Sequence, residues 1–331
     1  MGFWDQSPGP HWSDYFWSPF SCSGIPFAIP IRSKKSAMPF SKHFGSISLA
    51  GPEQTSEVVL FLQTHFKITE KSVCTLSSET LLQGIQNCGW ICVIARNGFG
   101  AIVGTIISRS VGRLQFTLKH KQSIRTSSAS NVGYIDFFCI APEMRKSGLG
   151  SYLLKWLDFF SQQQNRFIQL FSKEVFPLRQ LPSLWGGSYI VRSTRKTVKS
   201  IQFLESQDFF RDHFTSTSSL PISCIPEYDS PFTKVFYKKV NDVTVFVAIT
   251  NTFHSSTKGE TIGEVLFVYC KSYVRPEVVE GLLDRSGYDI LLMDSSIPHQ
   301  KEKWQKDSSY WLYCYNLNPK RFFGQRPIFS L

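Results

Sequence analysis

The stretch that most constrains this chain runs from Tyr134 to Gln163. It opens with Ile135-Asp136-Phe137-Phe138-Cys139-Ile140, an apolar run with the length and composition of a buried strand. Pro142 ends that run, and Arg145-Lys146-Ser147-Gly148-Leu149-Gly150 follows as an Arg-x-x-Gly-x-Gly loop. Tyr152, Leu153, Leu154, Trp156, Leu157 and Phe160 then recur at helical spacing up to about Gln163. A strand that turns through glycines straight into a helix presents the unpaired amides and partial positive charge of the first helical turn. Gly148 and Gly150 remove side chains that would block close approach, and Arg145 and Lys146 add charge, so the loop suits a pyrophosphate. It lacks the Gly-Lys-Ser/Thr of a nucleotide P-loop and the Gly-x-Gly-x-x-Gly of a dinucleotide fold. The plainer alternative is a strand–turn–helix connection whose glycines serve packing.

The rest of the chain supplies the frame. Residues 1–46 are aromatic, Pro-rich and irregular, with Phe3-Trp4, Trp12 and Tyr15-Phe16-Trp17, and read as an arm lying across a folded body. The spacing of Val58, Val59, Leu62 and Phe66 predicts a helix capped at Thr55 or Ser56, and Ser78–Gln86 fits a second. Strands are predicted at Trp90–Ala95, Ala101–Ser108 and Leu114–Leu118, with Asn97-Gly98 as a hairpin turn and the polar, Ser-rich residues 119–130 as a mobile loop. After the helix that ends near Gln163 comes a strand at Phe167–Phe171. The second half repeats the order with strands at Lys234–Val240, Val243–Thr250 and Val265–Tyr269. A helix at Pro276–Ser286 and strands at Tyr288–Met293 and Tyr310–Tyr315 complete it. Strand, strand, strand, helix, strand, strand occurs twice, which predicts two similar α/β units sharing one mixed sheet, flanked by helices.

Composition narrows the class. Of 331 residues 42% are hydrophobic, with 29 Phe and 8 Trp, which is enough to build a core. The net charge of +11 suits anionic partners, but the basic residues are scattered, with short groups at Lys34-Lys35 and Arg192–Lys199, so no nucleic-acid arm is predicted. None of the 8 Cys forms a CxxC and no His cluster lies near them, so the expectation is free thiols and no metal site. With no signal pattern at the start and no apolar stretch of membrane-spanning length, we expect a cytoplasmic monomer with at most transient membrane contact.

Several pieces, in order, resemble the N-myristoyltransferase family. Phe3-Trp4-Asp5-Gln6-Ser7-Pro8-Gly9-Pro10 resembles the Phe-Trp-Asp-x-x-Pro-x-Pro arm near the start of that catalytic core. Ile135–Ile140 resembles the family's Ile-Asn-Phe-Leu-Cys-Val strand, with the Arg145 loop at the spacing of its CoA loop. Trp185 lies where the family has Tyr-Trp-His. Gly287-Tyr288-Asp289-Ile290 resembles Gly-Phe-Asp-Val, and Tyr310-Trp311-Leu312-Tyr313 resembles Tyr-Tyr-Leu-Tyr. The resemblance implies two fused GCN5-related N-acetyltransferase-like (GNAT) units. It divides the chain into an arm (1–46), an acyl-CoA-binding unit (47–200) and a peptide-binding unit (201–331).

The same resemblance implies the chemistry: transfer of a myristoyl group from myristoyl-CoA, the co-substrate, to the N-terminal glycine amine of a peptide or protein. Backbone N–H groups of Phe137 and Phe138 would hold the oxyanion, and the C-terminal carboxylate of Leu331 would be the base. Gly2, Phe3 and Trp4 would cover the adenine end of CoA. Arg145, Lys146, Ser147 and Gly148 would hold the pyrophosphate, and Cys139, Ile140, Leu149 and Gly150 would meet the pantetheine. Three positions depart from the family: Gly148 replaces a basic residue, Gly186 replaces the His after Trp, and Gln305-Lys306-Asp307-Ser308 replaces an acidic-glycine loop. The last two handle peptide, which leaves open another acyl-CoA N-acyltransferase of this fold or an inactive acyl-CoA binder. Gln6 stands where self-acylation at Gly2 would want Ser or Thr.

Overall fold

The computed structural model describes residues 39, 45–66, 72–120, 123–166, 168–174, 185–194, 222–225, 232–240, 243–270, 275–297 and 299–315. For 111–120, 123–131, 168, 173–174, 185, 222–225, 243, 267, 269–270 and 310–315 it describes the backbone alone. The strands in chain order are β1 (Ile47–Leu49), β2 (Ser72–Cys74), β3 (Ile91–Arg96), β4 (Ile102–His120), β5 (Ser123–Ile140), β6 (Ile168–Glu174) and β7 (Trp185–Ser193). They continue as β8 (Ile222–Ile225), β9 (Thr233–Val240), β10 (Val243–Ser256), β11 (Thr261–Cys270), β12 (Ile290–Asp294) and β13 (Gln305–Tyr315). The helices are α1 (Thr55–His65), α2 (Ser78–Asn87), α3 (Leu149–Gln163) and α4 (Pro276–Leu283).

All the strands join one mixed sheet in the order β1-β3-β4-β5-β6-β13-β7-β12-β11-β10-β2, with β8 on β4 and β9 on β10. The duplication read from the sequence is visible in the pairing. β4 and β5 form an antiparallel hairpin, α3 crosses over, and β6 returns parallel to β5. β10 and β11 form a hairpin, α4 crosses over, and β12 returns parallel to β11. The strand after each return then crosses to the other unit. β7 pairs with β12, and β13 pairs with β6 as well as β7.

Alternation and helical spacing explain most elements. α1 buries Val58, Val59, Phe61 and Leu62, and α3 buries Leu149, Leu153, Leu154 and Leu157. With Val93, Ile94, Ile106 and Phe137 these form one core, and Val245, Val247, Val265, Val279, Leu283 and Met293 form another under α4. Ser77 caps α2 by accepting from the Thr80 amide at 3.1 Å. α4 begins, as expected, with Pro in its first turn but closes at Leu283, with Asp284 as its C-cap.

The sequence reading needs correction around the first hairpin. The two strands expected at Ala101–Ser108 and Leu114–Leu118 are one strand, β4, and most of the expected loop 119–130 lies in β4 and β5. Ser- and Thr-rich segments carry no apolar alternation, yet here each backbone finds its ladder in the opposite strand, from Gln115↔Ser128 to His120↔Ser123. The 1–46 arm, apart from residues 39 and 45–46, and the division near residue 200 lie outside the described residues.

Candidate active site

The site begins with an irregularity in β5. Thr105 of β4 faces Cys139 and Ile107 faces Asp136, so Phe137 and Phe138 stand opposite Ile106 alone. This is a β-bulge, and Phe137 carries a φ of 39°, a strained value for a residue with a side chain. On the other side of β5, pairing with β6 runs from Val132↔Ile168 to Tyr134↔Leu170 and stops there. Beyond it the two parallel strands are no longer paired, and among the described residues no other strand takes that edge of β5 alongside the bulge. Tyr134 Oη lies 2.7 Å from Ser172 Oγ at the point of divergence, and Ser108 Oγ donates to Gln169 Oε1 at 2.6 Å just below it.

Charge is arranged around the bulge. Asp136 Oδ1 accepts from the Phe137 amide at 3.1 Å, and Asp136 Oδ2 is 2.8 Å from the Arg109 guanidinium. Arg109, nearly buried, lies 5.8–6.0 Å from the ring centres of Trp90, Tyr134 and Phe253. An arginine can keep its charge among rings because their faces are electronegative. The Phe137 ring is fully buried and meets those of Phe66, Phe253 and His254 at 5.6–6.1 Å. The Phe137 amide, expected as an oxyanion donor, is thus held by Asp136, and Phe138 follows it half-buried on the bulge.

The glycine loop follows within a few residues. Pro142–Met144 makes one 3-10 turn, and the Arg145 guanidinium Nε donates to the Ile140 carbonyl at 3.2 Å, tying loop to strand. Lys146 takes φ 64° and Gly148 φ 93°, two left-handed steps that turn the chain into α3. Ser147 Oγ donates to the Met144 carbonyl at 2.7 Å and accepts from the Leu149 amide at 3.3 Å. Arg145, Lys146, Ser147 and Gly148 are exposed while Leu149 and Gly150 are buried, so the charges face outward and the helix start is anchored. Burial raises the Cys139 thiol to about 11, with the Arg145 charge opposing, so it stays protonated and forms an apolar wall beside half-buried Ile140.

Glycine fixes how closely α3 approaches the sheet. A Cβ on Gly104 of β4 would come 2.9 Å from Leu153 Cδ1 and 3.2 Å from Leu149 Cδ2. A side chain there would force Leu153 and Leu149 to shift, so the glycine lets the first turn of α3, and with it the loop, press onto β4.

The structure brings together Phe137, Phe138, Cys139, Ile140 and the whole loop from Arg145 to Gly150. Gly2, Phe3, Trp4 and Leu331 lie outside the described residues. Trp185 and Gly186 fall on β7, opposite Leu312 and Trp311 of β13, and Gln305–Ser308 opens β13 as strand. Sequence reasoning missed Arg109, Phe253 and His254. The interruption Thr250-Asn251-Thr252 in an apolar strand was the available signal, since β10 bulges there: three residues, Thr252–His254, face Ile262 alone. Among the described residues no group of three or more His, Cys, Asp or Glu is disposed to hold a metal, and no helix is long and apolar enough to cross a membrane.

Comparison with known proteins bears on the fold. Residues 61–177, which include the bulge, the loop and α3, match the acetyltransferase (GNAT) family. A structure of Saccharomyces cerevisiae N-myristoyltransferase with bound myristoyl-CoA superposes over 96% of this chain and 92% of its own, with TM-score 0.60 and 13% identity. A second with bound myristoyl-CoA covers 95% and 87% at TM-score 0.62 and 12% identity. A third, with myristoyl-CoA and inhibitors, covers 88% and 86% at TM-score 0.61 and 13% identity. No curated protein sequence matches the chain. The chain therefore has a GNAT-type acyltransferase fold, in the doubled, single-sheet form that N-myristoyltransferases share.

Proposed function

We propose that this protein transfers a fatty acyl group, myristoyl by resemblance, from acyl-CoA to the N-terminal glycine amine of a peptide or protein. The observation that carries the reading is the parting of β5 and β6 at a bulged strand end that runs directly into an exposed, basic, twice left-handed loop capping α3. The loop offers the positive end of α3 and the exposed charges of Arg145 and Lys146 to a pyrophosphate. The pantetheine would then pass Leu149, Gly150, Ile140 and Cys139 into the gap, bringing the thioester to Phe137 and Phe138. Bulge amides suit an oxyanion because they are fixed before the reaction starts. The Phe137 amide would exchange its Asp136 partner for the oxyanion, with Arg109 holding the displaced carboxylate. Gly2, Phe3 and Trp4 would cover the adenine, as the resemblance implies.

A second reading has one observation in its favour. Gly186 supplies no imidazole where the resembled family handles peptide, so another amine could be the acceptor. One experiment separates the two. Purified protein is mixed with acyl-CoAs from acetyl to palmitoyl and either a Gly-initiated octapeptide or a panel of small amines, and products are read by mass spectrometry. The glycylpeptide reading expects an acylated peptide N-terminus. It also expects affinity rising by roughly 0.8 kcal/mol per CH₂ until a closed pocket ends. Gly148→Asp sets a carboxylate, in a left-handed position, where the pyrophosphate would lie, and should weaken acyl-CoA binding at least tenfold by calorimetry. Unchanged affinity in the folded variant would remove the loop from the site. Acylated small amines with an untouched peptide would favour the second reading.

A further inference from the structure

One buried titratable side chain beside the bulge has no part in the chemistry so far. His254 belongs to the irregular segment of β10, next to Phe253 with its φ of 56°, and pairs across β2 with Cys74. Its ring centre stands 6.1 Å from that of Phe137 and 5.9 Å from that of Phe66. It hydrogen-bonds the Val73 backbone in the sense that favours the protonated ring, as a carbonyl acceptor does. A neutral imidazole that donates through one nitrogen presents the other as a lone pair. The Nδ1 atom is buried and has no hydrogen-bond partner among the described residues. A buried polar atom left unpaired is costly and calls for a molecule or a function that uses it.

The surroundings suit a base. Burial pushes the imidazole below its usual 6.5, Asp136 on β5 pulls it back up, and Arg109 on β4 pushes it down. The Cys74 thiol on β2 is raised by burial and stays neutral. At neutral pH the ring is therefore uncharged, with a carboxylate close enough to favour a proton when one arrives.

We propose that His254 Nδ1 accepts the proton that leaves the acceptor amine during acyl transfer, with Asp136 placed to stabilise the resulting imidazolium. The proposal rests on the acyltransferase reading. The amine lone pair forms the C–N bond at the thioester carbonyl carbon, and the nitrogen, now positive, becomes acidic. Its proton passes to Nδ1. The carbonyl re-forms, the C–S bond breaks with its electron pair on sulfur, and the imidazolium returns the proton to give the CoA thiol. Atoms and charge balance without a further reactant.

The test is the pH profile of single-turnover transfer from preloaded acyl-CoA complex, with acyl-CoA affinity measured in parallel. In wild type the rate should fall on acidification through an ionisation below 6.5. His254→Gln should lose that limb and slow transfer by about 10²–10⁴-fold, with acyl-CoA affinity nearly unchanged. Asp136→Asn should move the limb to lower pH, because the carboxylate is what raises the imidazole. That shift decides the matter if His254→Gln does not fold. A His254→Gln protein with wild-type rate and limb overturns the proposal. So does a limb that His254→Gln retains and deletion of Phe329–Leu331 abolishes, which would hand the role to the terminal carboxylate. A wild type that acylates no amine rejects the acyltransferase reading and the histidine with it.

Discussion

At the scale of single residues, Asp136 holds the bulge together. It ties the Phe137 amide to the Arg109 guanidinium and biases His254, so one carboxylate links β5, β4 and β10. The family strand that this segment resembles carries Asn there. A neutral amide would leave Arg109 without a charge partner among the described residues, so the aspartate and the buried arginine belong together. The histidine gives a prediction independent of activity. Its folded ionisation lies below 6.5 because burial disfavours the imidazolium, so the unfolded chain takes up the proton first. The stability it contributes is therefore complete above 6.5 and is lost as pH falls beneath it. Thermal unfolding of wild type should move to lower temperature from pH 6.5 downward more steeply than that of His254→Phe, with the two curves running parallel above pH 7. Parallel curves across the whole range would mean that the ring titrates normally. The grouping was not legible in the sequence, where Arg109, Asp136 and His254 are separated by up to 145 positions and only the polar interruption at Thr250-Asn251-Thr252 hints at the β10 irregularity. The loop residues Arg145–Gly150 were legible because their chemistry is contiguous: the spacing of two glycines and two cations survives without knowledge of the fold.

At the scale of elements, α3 and its glycine partner decide where the loop lies. The helix was readable because Tyr152, Leu153, Leu154, Trp156, Leu157 and Phe160 recur at the helical period up to Gln163, where α3 ends. Gly104 was not readable as its seat, since a glycine in a strand can equally mark a bulge or a weak point. Gly104→Val would drive a branched side chain into Leu153 and Leu149. Overpacking of this kind typically costs about 1–3 kcal/mol. It should also lift the first turn of α3 and weaken acyl-CoA binding in calorimetry, whereas Val substituted at exposed Gly281 of α4, where a Cβ meets nothing within 4 Å, should leave that affinity alone. Full affinity in a Gly104→Val protein of wild-type stability would show that the helix is positioned by something else. The hairpin of β4 and β5 marks the opposite limit of sequence reading, since its outer half is strand by virtue of its partner and not of its own alternation.

At the scale of the whole molecule, the units are fastened where their last strands cross over. Arg192 on β7 reaches α4 of the other unit, with 3.0 Å to Glu280 and 2.9 Å to Asp284, and its guanidinium lies 5.1 Å from the Trp304 ring centre. Glu280 also accepts from the Trp304 indole at 2.8 Å and from the Gln300 amide at 3.1 Å. Both charges of the Arg192–Glu280 pair are almost wholly buried. Arg192→Met leaves Glu280 charged and short of a cation, and should destabilise the protein by about 3–5 kcal/mol in chemical denaturation. Adding Glu280→Met should restore part of that loss. A double variant no more stable than the single would argue that packing around Trp304, and not charge, fastens the units. The twofold order of elements was visible in the sequence, but the crossing of β7 and β13 was not, because connectivity in a sheet depends on which edge each strand finds.

That crossing has a consequence for how the chain can be divided. Cut between its halves, each piece would keep a sheet edge with nothing beside it and a final strand with nowhere to lie. Two copies of one such piece, related by a twofold axis and each laying its last strand against its twin, would regenerate the central order of return strand, foreign strand, foreign strand, return strand. The fused chain thus has the topology of a domain-swapped dimer joined by one peptide link. Its halves are free to diverge in sequence, as the glycine loop of one and its lack in the other attest, but neither can be discarded alone.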